Sequence, residues 1–144
     1  MKKIVITSGF FNPLHVGHMN LMREAKKLGD FLVVIVNNDA QVKVKGSVPF
    51  MPEKERLAIV KDIKHVDAVF LATDKDGYVP ESLKSIAKQY KGQLIFAKGG
   101  DRNFDNLPES EKIILMTSIQ FKSTLDITLP NGQPAKITKT WTRQ

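Results

Sequence analysis

The chain has no cysteine among its 144 residues. Disulfides and thiolate metal sites are therefore excluded, and the redox compartment is left open. Aromatic residues are sparse, with a single tryptophan, so no interleaved aromatic platform for stacking nucleic-acid bases is present. No apolar run approaches the length of a membrane span. Internal repeats, low-complexity stretches and linkers are also missing, and at this length one domain over residues 1–144 is expected. Met1-Lys2-Lys3 runs at once into an apolar segment. A secretory leader is not expected, and cytoplasm is the default location.

What is present begins with charge. The net charge is +7 and the isoelectric point is near 9.6, which favours an anionic partner. The lysines are spread over the chain with no dense basic block, so nucleotide phosphates account for the charge at least as well as nucleic acid does. Strand-like and helix-like segments alternate. Ile4-Val5-Ile6 is followed by a helical pattern over 19–28, and Phe31 to Val36 is a continuous apolar strand. Gln41 to Pro49 reads as a mobile basic loop. Pro52 opens a helix with Leu57, Val60 and Ile63 on its buried face, and a short strand is expected over 68–72. A helix over 80–90 and a buried strand over 93–97 follow. The order predicts an α/β fold, a doubly wound (Rossmann-like) parallel sheet with helices on both faces. The tail, 113–144, diverges from this pattern. It carries one further strand candidate and then an expected β-hairpin around Pro130-Asn131-Gly132, whose free edge could pair with a second copy to form a homodimer.

The most informative segment is Gly9 to His18, G-F-F-N-P-L-H-V-G-H, placed directly after the first strand. Gly9 permits a tight turn and Pro13 fixes the backbone ahead of His15 and His18. Two of the three histidines thus open the first turn of a helix on one face, where unpaired backbone N–H groups point outward. That is an anion site with two titratable donors added, and phosphate is its natural guest. A metal site would need further ligands from Asp or Glu, because cysteine is absent and His65 is the one other histidine. A structural role is the remaining alternative for the pair; His65 itself reads as an ordinary surface residue. In a parallel sheet, ligands gather at the carboxyl ends of strands. Gly9–His18, Asn37–Lys45 and Lys98–Arg102 all fall there.

These residues resemble the signature of the cytidylyltransferase-like (HxGH) nucleotidyltransferase superfamily, nearest to its glycerol-3-phosphate cytidylyltransferase and heptose-phosphate adenylyltransferase branches. Ala25 to Asp30, Asn37 to Ala40, Lys43 to Gly46, Glu53 to Arg56, His65 to Asp67 and Lys98 to Asp101 follow in the order and spacing of those families. F-N-P-x-H is also similar to the nicotinamide- and pantetheine-phosphate adenylyltransferases. Two features differ from the pattern. Asn12 stands where the cytidylyltransferases usually have Asp, and no clear Ser/Thr cluster opens a last helix; Thr117-Ser118 and Ser123-Thr124 are the nearest candidates.

The resemblance implies transfer of a nucleoside monophosphate from CTP or ATP to a small phosphorylated acceptor, a sugar or polyol phosphate, with release of pyrophosphate. His15, His18 and Lys45 would be catalytic. Gly9, Phe10, Phe11, Asn12, Gly17, Gly100, Asp101 and Arg102 would bind the nucleotide. Lys43, Arg56 and Asp39 would bind the acceptor. Mg²⁺ would accompany the triphosphate, with no dedicated protein metal site. The tail leaves two other classes open: a nucleotide-binding protein that kept the pocket without turnover, and a basic nucleic-acid-binding module.

Overall fold

The computed structural model describes residues 2–98, 120–123 and 140–141. Six strands form one sheet: β1 Lys3–Gly9, β2 Phe31–Val36, β3 Ala68–Leu71, β4 Gln93–Lys98, β5 Gln120–Ser123 and β6 Thr140–Trp141, in the order β3-β2-β1-β4-β5-β6. All neighbouring pairs are parallel except β5 with β6. From β1 the chain builds outward to β2 and β3 on one side, then crosses to β4 on the other. The strand order therefore reverses beside β1, which opens a crevice at its carboxyl end.

The strands are apolar on both faces because both are covered. Ile4 and Ile6 of β1, Val33 and Ile35 of β2, and Leu94 and Phe96 of β4 pack with Leu83 and Ile86 of helix α4 Pro80–Gln89. The alternate residues Val5, Leu32, Val34, Val36 and Ala97 pack on the opposite face. Their partners are Met22 and Ala25 of α1 Val16–Lys26 and Val60 of α3 Glu53–Lys61. This is the expected doubly wound arrangement. Helix α1 begins before the apolar run at Met19, with His15 as its N-cap, so both histidines belong to its opening turn. Pro80 occupies the first turn of α4 and Pro52 caps α3, positions where a missing N–H costs nothing.

One segment departs from expectation. Asp39–Val44, read as the start of a mobile loop, forms a short helix α2. Asn38 is its N-cap and accepts from Gln41 N–H, while the Gln41 side chain accepts from Asn38 N–H. That reciprocal pair is a capping box written as N-x-x-Q. In the tail, Phe121 pairs antiparallel with Trp141 and Lys122 with Thr140. The predicted strand at 113–119 and hairpin arms at 124–129 and 135–139 lie outside the described residues.

Candidate active site

The turn from β1 into α1 is packed around Phe11, which is buried and holds φ at 51°. A bulky residue with left-handed backbone is uncommon and costs on the order of 1–2 kcal/mol, sustained by surrounding contacts. Gly9 makes room for it: a Cβ there would stand 2.6 Å from Phe11 Cζ. The Phe11 ring in turn meets His18 edge-on, with centroids 5.0 Å apart.

The two imidazoles stack at 3.8 Å and are locked by the helix terminus. His15 Nδ1 accepts from Gly17 N–H at 3.1 Å, and His18 Nδ1 accepts from His15 N–H at 3.1 Å. A neutral imidazole whose Nδ1 accepts must carry its proton on Nε2. Both rings are therefore Nε2–H donors. Burial, and then the neighbouring His15, push the His18 pKa down to about 4. His18 is accordingly neutral near pH 7. Gly17 is required for this geometry, since a Cβ there would come within 2.9 Å of His15 Cε1.

The surrounding loops are pinned by side chains. Asn12 donates to Val48 O at 2.9 Å and accepts from Phe50 N–H, which fastens the 48–50 segment to the histidine turn. Arg56, expected at an acceptor phosphate, is instead buried. Its Nε donates to Met51 O at 2.9 Å, and its Nη1 donates to Phe10 O at 2.8 Å and Asn37 O at 2.6 Å. Its Nη2 pairs with Asp39 Oδ1 at 2.6 Å. Asp39 N–H also donates to Glu53 Oε1 at 2.9 Å, so this end of α2 is tied to α3. The guanidinium links the ends of β1 and β2 to the entrance of α3 and faces no open space. Arg56 and Asp39 are thus brought together as a strut, the guanidinium committed to Asp39 and backbone carbonyls and the Asp39 carboxylate left partly exposed.

A cavity of about 120 Å³ opens where the strand order reverses. Ser8, Gly9 and Phe10 from the end of β1, Asn37 after β2, Gly77 to Val79 before α4, and Lys98 from β4 line it. Lys98 Nζ donates to the Ser8 hydroxyl at 2.9 Å and to Ser8 O at 3.1 Å. Lys45 closes α2 and lays its ammonium 4.8 Å from the centre of the Tyr78 ring. Lys43 is exposed on the last turn of α2. The N–H groups expected to be open at the start of α1 are taken by His15, Gly17 N–H by its Nδ1 and those of His18 and Met19 by its carbonyl. The site thus combines two imidazole donors with the helix dipole and nearby cations. That combination suits a polyanionic phosphate chain.

A family profile described as cytidylyltransferase-like matches residues 6–140. The chain belongs to that family. Among similar proteins, an FAD synthase of Ferroglobus placidus is 42% identical over 73% of this chain and 63% of its own length. The chain thus spans somewhat less than two thirds of that relative. A bifunctional protein HldE of Desulfatibacillum aliphaticivorans is 36% identical over 74% of this chain and 21% of its own. Among solved structures, the lipopolysaccharide core biosynthesis protein of Thermoplasma volcanium is 28% identical. It superposes with a TM-score of 0.69 over 85% of this chain and 96% of its own.

Within this cytidylyltransferase-like frame, Gly9, Phe10, Phe11, Asn12, His15, Gly17 and His18 form one continuous turn, and Lys45 of α2 lies against Gly77 and Tyr78, two of the residues that line the cavity. Gly100, Asp101 and Arg102 lie outside the described residues, as do Thr117, Ser118 and Thr124, whereas Ser123 ends β5. Lys98, Asn38 and Gln41 fall within the clusters expected at the carboxyl ends of strands but had no role assigned, and the Gly77-Tyr78 pair was not among the expected site residues. The capping-box spacing of Asn38 and Gln41 was a usable signal. Gly77-Tyr78 has no motif of its own and becomes visible through its contacts.

Proposed function

We propose that this protein is an ATP-dependent adenylyltransferase that joins AMP to flavin mononucleotide, producing FAD and pyrophosphate. The observation that carries the transferase reading is the pair of stacked imidazoles. Their Nδ1 atoms are occupied by backbone N–H groups, which leaves two Nε2–H donors at the N-terminus of α1. The similarity to an FAD synthase supports the choice of substrates. FAD is an adenylyl group joined to flavin mononucleotide through a pyrophosphate bond, so its assembly needs a nucleoside triphosphate and a phosphorylated acceptor. The acceptor thereby moves from a sugar or polyol phosphate to a flavin phosphate.

A phosphate oxygen of the acceptor attacks the α-phosphorus in line. The new P–O bond forms as the bond to the β-phosphate oxygen breaks, and pyrophosphate carries away the electron pair. His15 and His18 donate to the non-bridging oxygens, where charge grows. Lys45 neutralises the triphosphate, and Lys43 is the candidate for the acceptor phosphate. Arg56 and Asp39 hold the loops in register. Among the described residues no group of three potential ligands could hold a metal ion. Mg²⁺ would accompany the triphosphate, and no step is assigned to it.

The test is chromatographic detection of dinucleotide product from flavin mononucleotide with Mg²⁺ and each of ATP, CTP, GTP and UTP. ATP alone is expected to give FAD. His15→Ala and His18→Ala are each expected to lower kcat by about 10²–10³-fold, as removal of an oxyanion donor does. Product with CTP in place of ATP would reassign the nucleotide. Pyrophosphate release with glycerol 3-phosphate but not with the flavin would return the acceptor to the polyol class. Triphosphate binding without turnover on any acceptor would leave a nucleotide-binding protein.

A further inference from the structure

Helix α2 and the loop between β3 and α4 are built as one unit. Asn38 Nδ2 donates to Ala72 O at 2.9 Å and Asp74 O at 2.8 Å. The Gln41 side chain, fully buried, donates through Nε2 to both Asp76 O and Tyr78 O at 2.7 Å. Its Oε1 accepts from Asn37 Nδ2 and Asn38 N–H, each at 3.0 Å, so both ends of the amide are committed. Lys45 follows Gln41 by four residues and projects from the same side of the helix. Gly46, at φ 83°, ends α2 in the left-handed conformation, with its N–H on Lys43 O at 2.9 Å. The start of the helix is therefore fixed relative to Gly77 and Tyr78, and its exit is closed by its own backbone.

The Lys45 side chain lies along that loop. Its ammonium is over the Tyr78 ring. A Cβ added at Gly77 would overlap Lys45 Cε and stand 3.0 Å from Nζ. Glycine at 77 leaves the channel through which the lysine stem passes, and Gly77 and Tyr78 both line the cavity. A lysine on a loop has many rotamers to lose on meeting an anion. One already held against two lining residues has fewer.

We propose that Gly77 and Tyr78 form a seat, built by Gln41, that pre-positions the Lys45 ammonium for the triphosphate. Gly77, Tyr78 and Gln41 are positioning residues acting through Lys45. The proposal rests on the reading of Lys45 as a triphosphate contact.

The test has two arms on the full chain, after thermal melting has confirmed that each variant folds. In the first, lysines are reductively ¹³C-methylated, which keeps their charge, and the Lys45 resonance is assigned with Lys45→Arg. The signal is expected upfield, displaced by the Tyr78 ring, in the wild type and in Tyr78→Phe. It is expected at the ordinary exposed-lysine position in Tyr78→Leu and Gly77→Ala. The Gly77→Ala change meets the far end of a flexible side chain, so it moves the lysine and spares the fold. In the second arm, the Kd for Mg-ATP is measured by calorimetry without acceptor. Gly77→Ala and Tyr78→Leu are expected to weaken binding about threefold, the scale of an exposed cation–π contact. Tyr78→Phe is expected to bind as wild type, and neither weakening variant adds to the loss already present in Lys45→Met.

A Lys45 signal that ignores Tyr78→Leu overturns the seat. So does unchanged or tighter ATP binding in Gly77→Ala and Tyr78→Leu, and so does indifference of ATP binding to Lys45→Met. Normal ATP binding with no FAD formed defeats the flavin reading alone and leaves the seat to these two arms.

Discussion

The two ends of the sheet solve the same problem with different chemistry. At the amino end, Asp30 precedes β2 and Asp67 precedes β3. Each carboxylate accepts from the first N–H groups of the neighbouring strand, Lys3 at 2.9 Å and Leu32 at 2.8 Å. Lys26 bonds to the Asp67 carboxylate and to Asp30 O at 3.0 Å. At the carboxyl end, pinning falls to Asn12, Asn38 and Gln41, which are neutral, and to Arg56, whose charge meets Asp39. Carboxylates are used here as well: Asp74 accepts from Glu81 N–H and Ser82 N–H in the first turn of α4, Glu53 from Asp39 N–H, and Asp76 from Tyr78 N–H. At the amino end the side-chain pins are carboxylates with Lys26. At the carboxyl end amides and a paired arginine share the work with carboxylates, and so add no further negative charge beside Lys45 and Lys98.

The largest expected effect separates the two ends by stability. Arg56→Met removes donors from Phe10 O, Asn37 O and Met51 O, and leaves Asp39 without its partner. Breaking a buried charged network of this kind costs about 3–5 kcal/mol. Asp30→Asn, at the exposed amino end, is expected to cost less than about 1 kcal/mol. Urea unfolding of the two variants beside the wild type measures the contrast. Equal losses would mean that the carboxyl-end strut carries no special weight.

The second effect separates stability from activity within the carboxyl end. Ala in place of Gly17 in α1 gains helix propensity, up to about 1 kcal/mol. The same methyl group collides with His15 Cε1 and turns the ring away from its cap. The variant is expected to melt no lower than wild type, yet to lose on the order of tenfold in kcat, as a displaced oxyanion donor should. Thermal melting and steady-state kinetics on one preparation check both signs. A fall in melting temperature equal to the fall in rate would reduce Gly17 to a packing residue.

How much of this was legible beforehand depended on the range of the interactions. The identity of β1 to β4 and their parallel sense followed from apolar runs and turns, because strands buried on both faces are written as continuous hydrophobic sequence. By contrast, β5 at Gln120–Ser123 falls between two expected strands. The histidine turn was legible because its parts are contiguous. Helix α2 was misread because Asn37-Asn38-Asp39 suits both a turn and a cap. The Gln41 at the third position decides between them, and its amide is fixed by carbonyls some 35 residues away. Arg56 misled for a related reason. An arginine on a helix reads as exposed, and its burial here depends on three carbonyls brought in from separate loops. Charge pattern along the chain carries no trace of that convergence.

Acid draws the finest distinction, because the two ends yield in different pH windows. His18 titrates near 6.5 in the unfolded chain and at about 4 in the folded one. Above pH 6.5 neither form is protonated and His18 contributes no pH dependence. As pH falls from 6.5 to 4, the unfolded chain takes up a proton that the folded chain refuses, and stability declines. The full linkage value is about 3 kcal/mol. The ring is half exposed, so screening reduces the expected loss to about 1 kcal/mol. Asp67 behaves in the lower window. Burial alone would raise its pKa, but the Lys26 hydrogen bond and Leu32 N–H outweigh that and hold it below 3.8. Its contribution is present above pH 3.8 and is lost as pH falls through the depressed folded value. Urea unfolding from pH 7.5 to 3 should show the upper decline vanish in His18→Gln and persist in Asp67→Asn. If both variants flatten the same window, the two ends do not titrate apart.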